Sequence, residues 1–146
     1  MIVYLDASAL VKRYVAEPGS TDVASLVAGA EAVATTVITR VEVAAALGRA
    51  SRMKLIAEGA AAAALEMFSA DWHDLIRLPV DEALTARAAA LSWQHELRGY
   101  DAVHLAAALS WREMLGDAVT LATYDRALWK GAQASGLAPW PAALAR

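Results

Sequence analysis

Cysteine is absent from this chain, which therefore has no disulfide, no thiolate metal site and no cysteine nucleophile. Gly-x-Gly-x-x-Gly and Walker loops are also missing, so nucleotide-cofactor roles have no support. There is no Gly-x-Ser-x-Gly elbow of the kind that serine hydrolases use. A phosphatase with an aspartyl nucleophile typically carries a second acid two residues later, where this chain has Ser8. The chemistry must therefore come from other oxygen and nitrogen side chains.

Long hydrophobic runs are missing too, although 58% of the residues are hydrophobic, because alanine supplies much of that fraction. No stretch reaches the roughly 20 apolar residues that span a bilayer. The apolar run at the N-terminus is too short for a signal peptide and has no basic region before it. A chain of 146 residues is the usual size of one domain with its own core. We expect residues 1–146 to form a single soluble, cytoplasmic domain.

An excess of positive charge is also lacking, since the formal net charge is −3 and the pI is near 5.5. Proteins that coat long nucleic acid duplexes are usually basic overall. A nuclease that grips a few phosphates needs only a local basic patch. The mild acidity therefore counts only weakly against a nucleic acid substrate.

Short apolar segments alternate with helical segments along the chain. The strand candidates are "IVYL", "AVATTV", "DLIRLPV", "AVTLAT" and a last short "LAPW". Helices are predicted over 7–15, 20–27, 57–69, 81–97 and 125–134, with further long helices beginning at Thr39 and Asp101. This alternation predicts an α/β fold with a central parallel sheet of four to five strands and helices on both faces. Ligands of such sheets bind beyond the carboxyl ends of the strands, at the topological switch point.

Three aspartates follow strands or precede helices at this expected edge. Asp6 ends "IVYL", Asp101 opens "DAVHLAAAL", and Asp125 follows the fourth strand in "TLATYDRAL". Each one alone could be a helix N-cap, which stabilises by about 1 kcal/mol. Taken singly, none of them indicates a functional site.

Glu42 is harder to explain as a surface acid. It lies in "TRVEVAAALG", a helix that is apolar on most sides and that Thr39 is predicted to cap. A buried carboxylate is costly unless it is paired, hydrogen-bonded or bound to a cation. The alternatives are a salt bridge with Arg40 or Arg49, or a place on a narrow solvent-facing stripe.

Together the four acids predict one cleft of carboxylates, which suits a hard cation such as Mg²⁺ or Mn²⁺. His104 lies three residues after Asp101 on the same helical face. It could support or supply a ligand, although an ordinary core histidine is the commoner case. The basic residues nearest these motifs, available to approach a phosphate, are Lys12, Arg13, Arg40 and Arg126.

Four segments, "YLDASALVKRY", "ITRVEVAAAL", "YDAVHLAAAL" and "TLATYDRAL", resemble in this order the motifs of PIN-domain ribonucleases. The subgroup they most resemble is the VapC-like toxins of type II toxin–antitoxin pairs, and the resemblance runs from Met1 to about Leu137. It implies a five-stranded parallel sheet, a homodimer and inhibition by a small cognate antitoxin. It places the family's acidic quartet on Asp6, Glu42, Asp101 and Asp125, with Ser8 and Thr123 at polar positions beside it.

Hydrolysis of a phosphodiester needs an activated water, stabilisation of the transition state and a leaving oxygen that can bear charge, and divalent metal serves all three needs. We expect Asp6, Glu42 and Asp101 to hold the principal Mg²⁺, and Asp125 to help position a second ion or the water. The predicted function is a metal-dependent endoribonuclease toxin. Two alternatives stay open: a catalytically silent PIN-like binding module, and a metal-dependent nuclease that acts on DNA, which differs from RNA at the 2′-OH.

Overall fold

Five parallel strands form one central sheet in the computed structural model, which describes residues 1–145. The strands are β1 (Ile2–Leu5), β2 (Ala32–Thr36), β3 (Ile76–Leu78), β4 (Val119–Ala122) and β5 (Ala138–Trp140). Their order across the sheet is β3-β2-β1-β4-β5, and every neighbouring pair is parallel. The predicted parallel sheet is confirmed, and "LAPW" supplies its fifth strand.

Seven helices connect and cover these strands in the described part of the chain. They are α1 (Ala7–Leu10), α2 (Ser20–Ala28), α3 (Thr39–Arg52), α4 (Glu58–Asp71), α5 (Glu82–His95), α6 (Gly99–Leu115) and α7 (Arg126–Ala134). The helix predicted over 7–15 is too long, because a 3₁₀ turn over Val11–Arg13 follows α1 and the Lys12 ammonium there bonds to Glu17 in the next loop. Among residues 1–145, no helix combines the length and the apolar character that a membrane crossing requires.

The order of the strands places the switch point beside β1. From β1 the chain builds outward through β2 and β3, and it then returns to build β4 and β5 on the other side. The crevice of such a sheet opens where the order reverses, between the carboxyl ends of β1 and β4. Asp6 follows β1 directly and Asp125 caps the helix after β4, so both lie at this crevice.

The two faces of the sheet carry separate cores because side chains alternate along each strand. Val3 and Leu5 of β1 pack with Phe68 and other residues on the side of α1, α3 and α4. Tyr4 points to the opposite side, where it packs with Leu105 of α6 and its neighbours. Burial on both faces explains why "IVYL" is apolar throughout, as is usual for parallel sheets.

The start of α3 differs from the prediction that Thr39 caps it. Thr39 is the first helical residue, and the position before it has no side-chain cap. Its hydroxyl lies 2.7 Å from the hydroxyl of Thr35, which in turn donates to the carbonyl of Leu5 at 2.7 Å. All of these groups are buried, so Thr39 ties α3, and with it Glu42, to the ends of β1 and β2.

Candidate active site

Asp6 is a buried carboxylate held by several donors at the end of β1. It caps α1 by accepting the backbone N–H of Ala9 at 2.9 Å, as the simple interpretation predicts. The same carboxylate accepts hydrogen bonds from Ser8 at 2.7 Å and from Thr123 at 2.6 Å. Only 3% of Asp6 is exposed. A cap needs one of these bonds, so the others fix the carboxylate in one orientation.

Burial raises the pKa of Asp6, because a charged carboxylate loses its hydration there. The nearby His104 and the hydrogen bonds from Thr123, Ser8 and Ala9 act in the opposite direction on this pKa. The donors therefore offset only part of the burial cost of the charge. A cation close to Asp6 would offset more of it.

Thr123 joins Asp6 to Asp125 across the crevice. Its hydroxyl donates to Asp6 and accepts the backbone N–H of Asp125 at 3.0 Å. The Asp125 side chain caps α7 by accepting the N–H of Leu128 at 2.9 Å. The second oxygen of Asp125 faces away from the helix end and bonds to an arginine. Asp125 is thus both a cap and a member of the acidic cluster.

Asp101 does not open its helix, because α6 begins at Gly99 and Asp101 lies in its first turn. Its carboxylate, 4% exposed, accepts a hydrogen bond from Arg98 Nε at 2.8 Å. Burial raises the pKa of Asp101, and the negative charges of Asp125 and Asp6 raise it further against the opposing effect of Arg98. The charges of Asp125 and Asp6 therefore both act on Asp101.

Glu42 pairs with a histidine rather than with Arg40 or Arg49. Its Oε1 lies 2.7 Å from Nε2 of the buried His104, and its side chain is 25% exposed. Nδ1 of His104 lies 2.8 Å from the hydroxyl of Tyr4, which is also buried. If Tyr4 donates to Nδ1, then Nε2 carries the ring hydrogen and donates to Glu42. Both nitrogens of His104 and the hydroxyl of Tyr4 then have a hydrogen-bond partner. The contact with His104 thus fixes the orientation of the Glu42 side chain.

Tyr4→Phe is expected to lower the free energy of unfolding by about 1–3 kcal/mol, because Nδ1 of the buried His104 loses its donor. Urea unfolding in chelator at neutral pH, with an unchanged slope against urea, measures this loss. The matched control is Tyr14→Phe, since Tyr14 donates to Asp71 at 3.1 Å in a less buried place. Equal losses in the two variants would contradict the larger cost expected for the buried Tyr4–His104 contact.

The donor set fits a hard divalent cation, since it consists of carboxylate oxygens with hydroxyls beside them. Within residues 1–145, however, no three acidic or histidine side chains are gathered closely enough to hold an ion as they stand. Other groups contact the oxygens instead: Arg98 bonds Asp101 and Asp125, and His104 bonds Glu42. Arg98 supplies the positive charge next to two of the four predicted ligands, Asp101 and Asp125.

The basic residues predicted beside the acids are engaged elsewhere. Lys12 bonds Glu17 and lies over the ring of Tyr124, and Arg126 bonds the carbonyl of Ala145. The arginine that does contact the acids, Arg98, was missed by the sequence interpretation, which treated Arg98-Gly99 as a helix boundary. Its position three residues before Asp101 was the available signal, because residues at this spacing meet at a helix start.

The sequence and the fold are similar to those of known proteins. Two relatives come from Mycobacterium tuberculosis: ribonuclease VapC45 of strain CDC 1551 / Oshkosh and ribonuclease VapC49 of strain H37Rv. Each is 38% identical to this chain, in an alignment of length 148 that covers 98% of this chain and 97% of the relative. A toxin-antitoxin complex from Klebsiella pneumoniae has a chain of similar structure, with a TM-score of 0.66 at 17% identity, covering 98% of this chain and 99% of that one. The PIN domain family matches residues 3–132. The chain therefore belongs to the PIN-domain family.

Proposed function

We propose that this protein is a metal-dependent endoribonuclease that acts in the cytoplasm as the toxin of a toxin–antitoxin pair. The observation that supports the proposal is the linkage of acids at the switch point: Thr123 joins Asp6 to the backbone of Asp125, and Arg98 joins Asp125 to Asp101. Relatives named as ribonucleases align with this chain along nearly its whole length, which supports RNA as the substrate. The resemblance to a toxin-antitoxin complex supports the biological role.

Asp6, Glu42 and Asp101 would hold the principal Mg²⁺ or Mn²⁺, and Asp125 would help to hold a second ion or orient the attacking water. When bound, such an ion lowers the pKa of a water and neutralises charge on a phosphate. The protein contributes orientation, since Ser8 and Thr123 fix Asp6 and His104 fixes Glu42. Second-layer bonds of this kind typically change metal affinity or activity by about 10- to 100-fold.

Incubation of the purified protein with total RNA, with Mg²⁺ or with chelator, tests this proposal. We expect new RNA ends only in the presence of the divalent cation, and mapping those ends defines the cleavage site. A DNA oligonucleotide of the same sequence as a cleaved RNA is the control for the 2′-OH. Cleavage of that DNA at the same rate would replace the ribonuclease with a nuclease that does not discriminate.

A catalytically silent binding module is the second candidate function. The observation that favours it is the arginine lying across Asp101 and Asp125, because a PIN fold could use Arg98 as a permanent counter-ion. Metal binding separates the two functions. A silent module with this arrangement would neither bind Mn²⁺ nor cleave RNA at any concentration of the ion.

An apolar groove beside Glu42 supports an antitoxin partner. The groove has a volume of about 860 Å³ and is lined by Glu42, Arg49 and Tyr100 together with apolar residues of α3 and the loop after it. Val41, Met53 and Leu55 in this lining are 70%, 55% and 71% exposed, and together they form an exposed apolar patch of the kind that marks interaction sites. We propose that an apolar segment of the antitoxin covers them and so blocks access to Glu42.

Leu55→Glu is expected to weaken inhibition by the antitoxin at least about tenfold while leaving RNA cleavage unchanged, because the introduced charge must lose its hydration when an apolar segment docks over it. The antitoxin to use is the product of a small open reading frame adjacent to this gene. Titration of that protein into the cleavage reaction gives the concentration needed for half inhibition. Trp93→Glu is the control, since Trp93 is 90% exposed on α5 and lies outside both the groove and the surface proposed below for a dimer. An equal effect of both substitutions would exclude this groove.

A homodimer is also proposed, formed by a face other than the groove. Met114 and Leu115 provide apolar surface there, at 77% and 42% exposure. Sedimentation velocity at micromolar concentration is expected to give twice the chain mass of 15.4 kDa. Sedimentation as a monomer at that concentration would contradict the dimer without affecting the ribonuclease proposal.

A further inference from the structure

Arg98 spans two of the acids that the proposed function assigns to the metal. Its Nε donates to Asp101 at 2.8 Å and its Nη2 donates to Asp125 at 2.7 Å. Asp101 precedes Asp125 by 24 positions and belongs to another helix. One guanidinium therefore neutralises carboxylates from both sides of the crevice.

The backbone delivers Arg98 to this place from the rim of the site. Helix α5 ends with Glu96 in the left-handed conformation, at φ 54°, and Arg98 is the extended residue before α6. The ring of Tyr100 lies 4.7 Å from the guanidinium carbon and supports the side chain from outside. Such a connection fixes the start of the side chain and leaves its end free to change partners.

Exposure differs sharply between Arg98 and its partners. The arginine side chain is 60% exposed, whereas those of Asp101 and Asp125 are 5% and 24% exposed. Arg98 can move into water at little cost, because a guanidinium at the surface remains hydrated. The carboxylates cannot, and without a cation they are left beside each other and beside Asp6.

We propose that Arg98 is the exchangeable counter-cation of the site: it neutralises Asp101 and Asp125 until a divalent cation binds, and it then contacts a phosphate of the RNA. The inference rests on the proposed ribonuclease function. A phosphate suits the released side chain, since the planar fork of arginine matches its oxygens. Of the other basic residues near the motifs, Lys12 and Arg126 have hydrogen-bond partners, and Arg13 and Arg40 lie over the rings of Tyr14 and Trp72.

The proposed competition between Arg98 and the divalent cation is tested by titration with Mn²⁺ in the absence of RNA. The electron paramagnetic resonance signal of the free ion measures how much Mn²⁺ is bound. Ion pairs of this exposure each shift an equilibrium by up to about fivefold. Arg98→Ala is therefore expected to bind Mn²⁺ roughly 5- to 20-fold more tightly than the wild type. Arg98→Gln, which removes the charge but keeps the unbranched aliphatic part of the side chain, should show the same gain if the alanine variant folds poorly.

Arg87→Ala is the matched control. Arg87 also forms a two-point ion pair, with Glu113 at 2.7 Å, but it lies on the outer surface of α5 and α6. This substitution is expected to leave the affinity for Mn²⁺ unchanged. A similar gain in Arg87→Ala would show that net charge alone is responsible, and it would overturn the exchange.

The proposed contact between Arg98 and an RNA phosphate is tested by the salt dependence of RNA cleavage at saturating Mn²⁺. Losing one phosphate contact should raise the KM of Arg98→Ala for single-stranded RNA several-fold at low salt. It should also reduce the slope of log KM against log salt by about 0.7. The effect should be the same for RNAs of different sequence, because phosphate contacts carry no sequence information.

The outcomes separate this inference from the proposed function. Equal Mn²⁺ affinity in the wild type and both Arg98 variants would overturn the exchange, and an unchanged KM and salt slope would overturn the phosphate contact. A wild type that binds Mn²⁺ but cleaves no RNA would refute the ribonuclease and the phosphate contact together. Tighter binding of Mn²⁺ by the variants would still support the exchange in that case.

Discussion

Asp6→Asn and Asp101→Asn are each expected to reduce Mg²⁺-dependent RNA cleavage by at least about 100-fold. The loss of groups that merely orient metal ligands costs about 10- to 100-fold, so the loss of a ligand itself should cost no less. Both substitutions keep the shape of the side chain. Asparagine also caps helices as well as aspartate does, so α1 should still form.

Cleavage rates of a single RNA, measured in metal-defined buffer with repurified protein, give the size of the effect. Asp117→Asn is the control, because Asp117 is exposed and lies before β4 at the opposite edge of the sheet. It should cleave at the rate of the wild type. Robust cleavage by either asparagine variant at the site would refute its assignment as a catalytic carboxylate.

The positions of Asp6 and Asp125 could be predicted from the sequence because both lie next to a strand end. Parallel strands end at one edge, and the order of strands and helices sets the switch point between β1 and β4. The local pattern of apolar and polar residues is sufficient for this step. It also predicts correctly that both side chains are helix N-caps.

The partners of these acids could not be predicted, because they come from distant parts of the chain. His104 meets Glu42 across 62 positions and Tyr4 across 100 positions. No periodicity within one helix reveals such pairs. The sequence offered Arg40 and Arg49 as partners of Glu42 because they are close along α3, yet the buried His104 on α6 faces it instead.

Arg98 shows the same limitation in a different form. Its contact with Asp101 is local, at a spacing that sequence analysis can use, but its contact with Asp125 depends on how α6 and α7 pack. The helix start was also placed two residues too late, at Asp101 instead of Gly99. That shift made Asp101 a cap and concealed the role of the residue before the helix.

The second large effect is expected in stability, which can be measured without knowing the substrate. Mg²⁺ at one hundred times its dissociation constant should stabilise the wild type by about 2.7 kcal/mol, provided that it binds only the folded chain. For a domain of this size, that corresponds to a rise in melting temperature of roughly 5–10 °C. Asp6→Asn should gain much less, because it lacks one of the ligands.

Without metal, Asp6→Asn is expected to melt higher than the wild type at neutral pH. The pKa of Asp6 is raised in the folded protein, mainly by burial, so the folded state binds its proton more tightly than the unfolded chain does. Stability from this group is therefore greatest below the unfolded pKa of about 3.9, and it is lost as the pH rises through the raised folded pKa. At neutral pH the ionised Asp6 costs stability, and a neutral asparagine removes that cost.

Thermal melts of both proteins from pH 4 to 8, in chelator and in excess Mg²⁺, test the predicted sign of the difference in melting temperature. In chelator, the difference between variant and wild type should grow as the pH rises, which isolates Asp6 from surface acids such as Glu31, whose pKa is lowered by the N-terminal ammonium group. In Mg²⁺ the difference should reverse, because only the wild type keeps the full set of carboxylates. If Asp6 were only a helix cap, Asp6→Asn would change the melting temperature little at any pH, and Mg²⁺ would stabilise both proteins equally.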